Sequence, residues 1–155
     1  MQHAPTKVEA KTLADYLGVM TRAVFEPGLN WQVVEAKWPG ITEAFHHFDP
    51  KTVAGYTPED VERLMNDADI IRNRRKIEAV IDNAGEMLVL EREYGSFQDY
   101  LRSHGSYEAT AADMKKRFHF LGDSGTYYFL YVVGEDVPAH EEWMAEHAFH
   151  ERHSR

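Results

Sequence analysis

Apolar residues return at three- and four-residue spacing through most of this chain, and that period predicts helices. Between Lys7 and Phe25, Leu13, Leu17, Met20 and Val24 form one apolar stripe, and Pro27-Gly28 stops the helix they imply. Asn30 can cap a short helix from Trp31 to Lys37, which Pro39-Gly40 breaks; another helix follows over Ile41 to His47. Asp49-Pro50 and Thr57-Pro58-Glu59-Asp60 are start signals, each an acceptor side chain ahead of a proline at the first helical position. The second opens a helix from Pro58 to Asn66. Asp67 to Asp69 makes a turn, and Ile71 to Tyr94 is the longest predicted helix, with Ile77, Val80, Ile81, Ala84 and Leu88 on adjacent turns.

Gly95-Ser96 ends that helix and caps a short one over Phe97 to Ser103. Gly105 to Thr110 reads as a loop, and Ala111 to His119 as a helix with Lys115-Lys116-Arg117 exposed. The turn Gly122-Asp123-Ser124-Gly125 precedes an apolar segment from Thr126 to Val133. Its β-branched and aromatic residues would allow a strand. With no partner strand elsewhere, a buried helix is the better expectation. A polar helix spans Ala139 to Arg152. The pattern predicts an all-α fold of many short helices in a single domain, residues 1–155.

Composition narrows the function classes. The hydrophobic fraction of 43% and charged fraction of 28% are ordinary for a globular protein. No apolar run is long enough to span a bilayer and no signal-peptide pattern opens the chain, so the expectation is a cytoplasmic protein with no membrane partner. The absence of cysteine removes disulfides and thiolate metal sites. A formal net charge of -9 argues against general nucleic-acid affinity, which relies on Lys and Arg, but leaves room for one local basic face. Arg72, Arg74, Arg75 and Lys76 are the one dense basic group before residue 115.

The ordered set of motifs between Phe25 and Ala84 carries most of the functional information. It begins with Phe25 and Gly28-Leu29-Asn30-Trp31, continues through Phe45, Phe48-Asp49-Pro50, Val53-Ala54, Asp60-Val61, Leu64 and Asp67, and closes with Ile70-Ile71-Arg72, Arg74, Lys76-Ile77, Ala79 and Asn83-Ala84. This order resembles the 3-methyladenine DNA glycosylase I family, with a weaker echo from Phe118 to Gly134. The resemblance implies a compact helix-hairpin-helix glycosylase fold. It implies a base-excision repair enzyme that hydrolyses the N-glycosidic bond of alkylated purines such as 3-methyladenine, with damaged double-stranded DNA as its partner and no obligate protein partner.

In that family the leucine of the glycine turn fills the gap left in the duplex, and the tryptophan stacks on the extruded base. Leu29 and Gly28 would then contact DNA and Trp31 would bind the base; an apolar plug and an aromatic platform offset the cost of flipping a base. A cationic alkylated base adds attraction to the ring face. A Pro-Gly stop with Leu29 and Trp31 packing inward explains the same residues. The family's base-binding glutamate falls, counting back from Trp31, on Ala23; Glu26, one turn along, is the candidate catalytic carboxylate, and an ordinary surface glutamate is its alternative.

The hairpin from Asp67 to Lys76 would hold the DNA backbone, using the N-terminus of the long helix and Arg72, Arg74 and Lys76. Asp69 stands where the family favours glycine. Gly122 could let a phosphate approach, and Tyr127 or Tyr128 could line the base pocket; close helix packing would also explain this segment. The family's zinc ligands are missing apart from His140, so no metal or other cofactor is expected. His147, His150 and His153 read as a solvated helix edge. The rival to an enzyme is a catalytically inactive glycosylase-derived protein that binds DNA, a free base or a protein partner. It is favoured by Ala23, Asp69 and the net charge.

Overall fold

The computed structural model describes residues 5–27 and 30–153. Among them it contains nine α-helices and no strand: α1 (Leu13–Phe25), α2 (Trp31–Ala44), α3 (Pro50–Ala54), α4 (Pro58–Met65), α5 (Arg74–Tyr94), α6 (Phe97–Leu101), α7 (Tyr107–Arg117), α8 (Asp123–Val132) and α9 (His140–His153). The all-α fold expected from the periodicity is the one observed. The segment 126–133 is helical because Phe129, Leu130 and Val132 bury against the rest of the core, where no sheet edge offers a partner.

Local chemistry sets most boundaries. Thr12 and Asp15 form a reciprocal capping box that starts α1, six residues into the helix expected from Lys7. The residues before it form no regular element, and Val8 N–H donates to the Val132 carbonyl at 2.7 Å. Thr57 and Asp60 form a second capping box at α4. Asn73 caps α5 by accepting the Lys76 N–H at 3.1 Å, so the longest helix begins three residues later than Ile71. At α7 the helix begins earlier than expected, because Ser106 caps it through the Ala109 N–H.

The expected break at Pro39-Gly40 is a correction. α2 continues through Pro39 to Ala44. Proline's fixed φ suits a helix, and the i−4 carbonyl it leaves free, that of Glu35, lies on an exposed stretch. Gly40 has a packing role: a Cβ there would lie 2.9 Å from both Cβ and the carbonyl oxygen of Asp69. Only glycine lets α2 approach the α4–α5 turn that closely.

Beyond α2, His46, His47 and Phe48 take φ of 53°, 54° and 59°, a left-handed turn that the sequence pattern did not announce. Buried Phe48 anchors it, stacking on Phe45 at 5.9 Å and on Trp38 at 5.5 Å. The core joins α1, α3, α5 and α8 through Leu17, Met20, Val24, Val53, Ile77, Val80, Met87 and Phe129. This packing brings the C-terminal end of α1, the start of α5 and the start of α8 to one side of the molecule.

Candidate DNA-binding and base-recognition site

That side carries a cleft of about 760 Å³, lined by Pro27, Lys76, Lys115, Lys116, His119, Phe120 and the opening residues of α8 among others. Three lysines and a histidine face one aspartate, Asp123, which pairs with Lys115. In a protein of net negative charge this is a locally basic concavity. Gly122 caps α8 with no side-chain hydrogen bond, so the first N–H groups of that helix open onto the cleft.

The α4–turn–α5 hairpin borders the cleft. Its turn is fixed by buried Ile70, by the Asp69 N–H donating to Asp67 Oδ1 at 2.8 Å, and by Lys37 Nζ donating to the Ala68 carbonyl at 3.2 Å. The four basic residues divide by role. Arg74 pairs with Glu62 at 2.5 Å. Lys76 reaches back to donate to the Pro27 carbonyl at 3.2 Å, and burial holds its ammonium below the ordinary lysine range. Arg72 and Arg75 are exposed and have no ion-pair partner among the described residues. Asp69 is exposed too, with its Cβ and carbonyl against Gly40.

Trp31 opens α2 and is 62% exposed, so it is far from a core position; it does not line the cleft described above. Gly28 and Leu29, which precede Asn30 and Trp31 in the motif singled out in the sequence, lie outside the described residues. Glu26 follows the last turn of α1, half-buried, and accepts from Arg22 Nε at 3.3 Å. Arg22 also pairs with Glu35 and lies over the Trp38 ring at 5.1 Å. Beside them stands Tyr128. Burial, then the nearby Glu26 carboxylate, push its phenol up to about 12, with Arg22 opposing. Its hydroxyl has no hydrogen-bond partner among the described residues.

The two tyrosines named from the sequence therefore separate. Tyr128 joins Glu26, Arg22 and Glu35. Tyr127 is buried and spent on α9: it stacks on Trp143 at 4.3 Å and donates its hydroxyl to the Pro138 carbonyl at 2.8 Å. Ala23, where the family pattern has its glutamate, is 2% exposed and covered by α8; a Cβ built on Gly125 would sit 3.9 Å from Ala23 Cβ.

The family model for methyladenine glycosylases matches residues 15–120, which span all these features except Tyr127 and Tyr128 and the opening of α8. The chain belongs to the methyladenine glycosylase family. It is 35% identical over 130 residues to DNA-3-methyladenine glycosylase 1 of Escherichia coli, covering 70% of each chain. Over the same length it is 31% identical to the DNA-3-methyladenine glycosylase of Haemophilus influenzae. Its fold superposes on 3-methyladenine DNA glycosylase I from Staphylococcus aureus with a TM-score of 0.71 and 29% identity, covering 83% of this chain and 79% of that one.

Within the family this chain does not fit a zinc site. It has no cysteine, and among the described residues no three His, Cys, Asp or Glu side chains converge. His140 instead packs its ring against Tyr131 and Tyr127, 5.6 and 6.2 Å between centroids. One positioning residue escaped the sequence reading. Asn83 is buried in α5 and makes two hydrogen bonds to the His119 backbone, accepting from its N–H at 2.8 Å and donating to its carbonyl at 3.2 Å. Its place in the Asn83-Ala84 match was the available signal, but nothing in the sequence named its partner.

Proposed function

We propose that this protein is a DNA glycosylase that removes alkylated adenine, with 3-methyladenine as the type substrate, by hydrolysing the N-glycosidic bond. The observation that carries this is the family match over residues 15–120, which includes the turn at Trp31 and the whole α4–α5 hairpin. The substrate carries its own activation. An N3-alkylated adenine is cationic, so when the bond to C1′ breaks the electron pair leaves on a base that becomes neutral. Water then adds to C1′ and gives up a proton. Little general acid help is needed, and the protein's task is to extrude, recognise and hold the base.

In this scheme the exposed indole of Trp31 offers a π-face to a cationic base. Glu26 supplies the negative charge beside it, and the unpartnered Tyr128 hydroxyl gives a donor and acceptor for its edge. Leu29 would plug the duplex and Gly28 would give the backbone room. Arg72 and Arg75, with the opening N–H groups of α5, would hold the DNA backbone of damaged double-stranded DNA, and Gly122 would let a second phosphate approach. The chain acts as one domain without an obligate partner. No described helix is long and apolar enough to cross a membrane, and a cytoplasmic site of action fits a repair enzyme.

One structural feature favours a second possibility, a DNA- or base-binding protein without catalysis. Ala23 leaves the family's glutamate position empty of charge beneath α8, and Glu26 is already paired with Arg22. The two separate in one experiment. Protein is mixed with duplex DNA treated with a methylating agent; released bases are separated by chromatography and binding is measured on the same duplex. Release of methyladenine supports the enzyme; binding without release supports the second possibility; neither result overturns both.

A further inference from the structure

Phe120 is an aromatic residue held out of the core under backbone strain, at the edge of the basic cleft. Its φ of 60° is in the left-handed region, which a bulky side chain occupies at a cost. Its neighbours Phe118 and Leu121 are buried, whereas Phe120 is 47% exposed. The conformation is imposed from outside the segment: the buried Asn83 amide grips the His119 backbone through both its oxygen and its nitrogen. Strain maintained by dedicated contacts, and ending in an exposed hydrophobic side chain, points to use of that side chain. Around it in the cleft lie Lys76, Lys115, Lys116 and His119. Cations interleaved with an exposed ring match the requirements of a nucleobase lifted from its stack with its phosphate close by.

We propose that Phe120 stacks on a nucleobase exposed when the duplex opens, as a second aromatic contact distinct from Trp31. This rests on the DNA-binding reading of the cleft given above. Lys115 and Lys116 would hold the adjoining backbone, while Phe120 distinguishes opened from intact DNA because an intact duplex offers no free base face.

The test compares wild-type protein with Phe120→Ala, Phe120→Trp and Phe120→Gly on two duplexes, one undamaged and one carrying a tetrahydrofuran abasic nucleotide. Phe120→Ala is expected to weaken binding to the abasic duplex by about 5- to 150-fold, the range for one base–aromatic stack, and to leave undamaged-duplex binding nearly unchanged. Phe120→Trp restores the difference. The salt dependence stays the same in all three variants, whereas Lys116→Ala makes it shallower. Phe120→Gly controls for folding: glycine suits the left-handed backbone, so its melting temperature equals or exceeds that of the wild type while it shares the binding loss. Wild-type preference for the abasic duplex that survives in Phe120→Ala overturns this proposal alone. Failure of the wild type to bind either duplex overturns it together with the DNA-binding reading.

Discussion

Lys76 Nζ donates to the carbonyl of Pro27 at 3.2 Å, joining residues 49 apart in sequence and tying the first turn of α5 to the end of α1. The hairpin expected to meet the DNA backbone and the turn leading to Trp31 are thereby mechanically connected. A lysine so engaged supports protein geometry instead of neutralising phosphate. Lys76→Met should weaken lesion binding without changing how log affinity falls with log salt. Arg72→Ala or Arg75→Ala should instead each make that slope shallower by about 1. Filter binding or fluorescence anisotropy at several salt concentrations checks this; a slope change for Lys76→Met equal to that for Arg72→Ala would show that Lys76 meets phosphate directly.

Trp31 is exposed, so its contribution should be functional rather than structural. Trp31→Ala is expected to change folding stability by no more than about 0.5 kcal/mol. It should weaken binding to lesion-containing DNA by about 1–3 kcal/mol, one base–aromatic stack. Thermal melts beside binding isotherms make the comparison, and a large drop in melting temperature would show Trp31 to be a packing residue.

The Tyr128 phenol provides a spectroscopic handle on the cluster around Glu26. Burial and Glu26 raise it to about 12, so the neutral phenol stabilises the fold fully below the ordinary tyrosine value, and that contribution is lost as pH rises through about 12. In an alkaline absorbance titration, the difference between wild type and Tyr128→Phe should show one phenol ionising near 12. Glu26→Gln should move that phenol downward. If Glu26→Gln leaves it unmoved, the two side chains do not share an environment.

Asp113 is one of the carboxylates expected to make the fold acid-sensitive, at a place away from the site. Burial acts to raise its carboxyl, but hydrogen bonds from Tyr100, His104 and Arg117 win and hold it below the ordinary range. Its contribution is therefore present above about pH 4 and lost as pH falls through the lowered value. Asp113→Asn should cost about 1–3 kcal/mol near neutral pH and flatten the acid limb of the stability curve. Chemical denaturation between pH 3 and pH 7 measures both, at about 0.5-unit steps.

The local chemistry of this fold was largely legible in the sequence, because caps act over three or four residues. Asn30, Asp49, Thr57 and Ser96 mark helix starts by residue type alone. Contacts between distant segments were not legible. The pair Gly40 and Asp69 explains why α2 passes a Pro-Gly that local rules would treat as a stop. In the site, the ordered motifs marked out the α4–α5 hairpin and Trp31 as the places to examine. Which two of four neighbouring cations are engaged within the protein, which tyrosine stands by Glu26, and that Asn83 bonds the His119 backbone all depend on tertiary partners. A helical period cannot choose Tyr128 over Tyr127 until α1 and α9 are placed on either side of α8.

The measurement that bears most directly on the central claim is single-turnover release of methyladenine from a methylated duplex, with protein in excess. Wild-type protein is expected to release 3-methyladenine well above the spontaneous rate. Glu26→Gln should slow release by about 10- to 150-fold, the worth of one hydrogen bond to a charged group. Spontaneous-rate release by wild-type protein that demonstrably binds the duplex would contradict the enzymatic account and leave a binding protein built on the glycosylase fold.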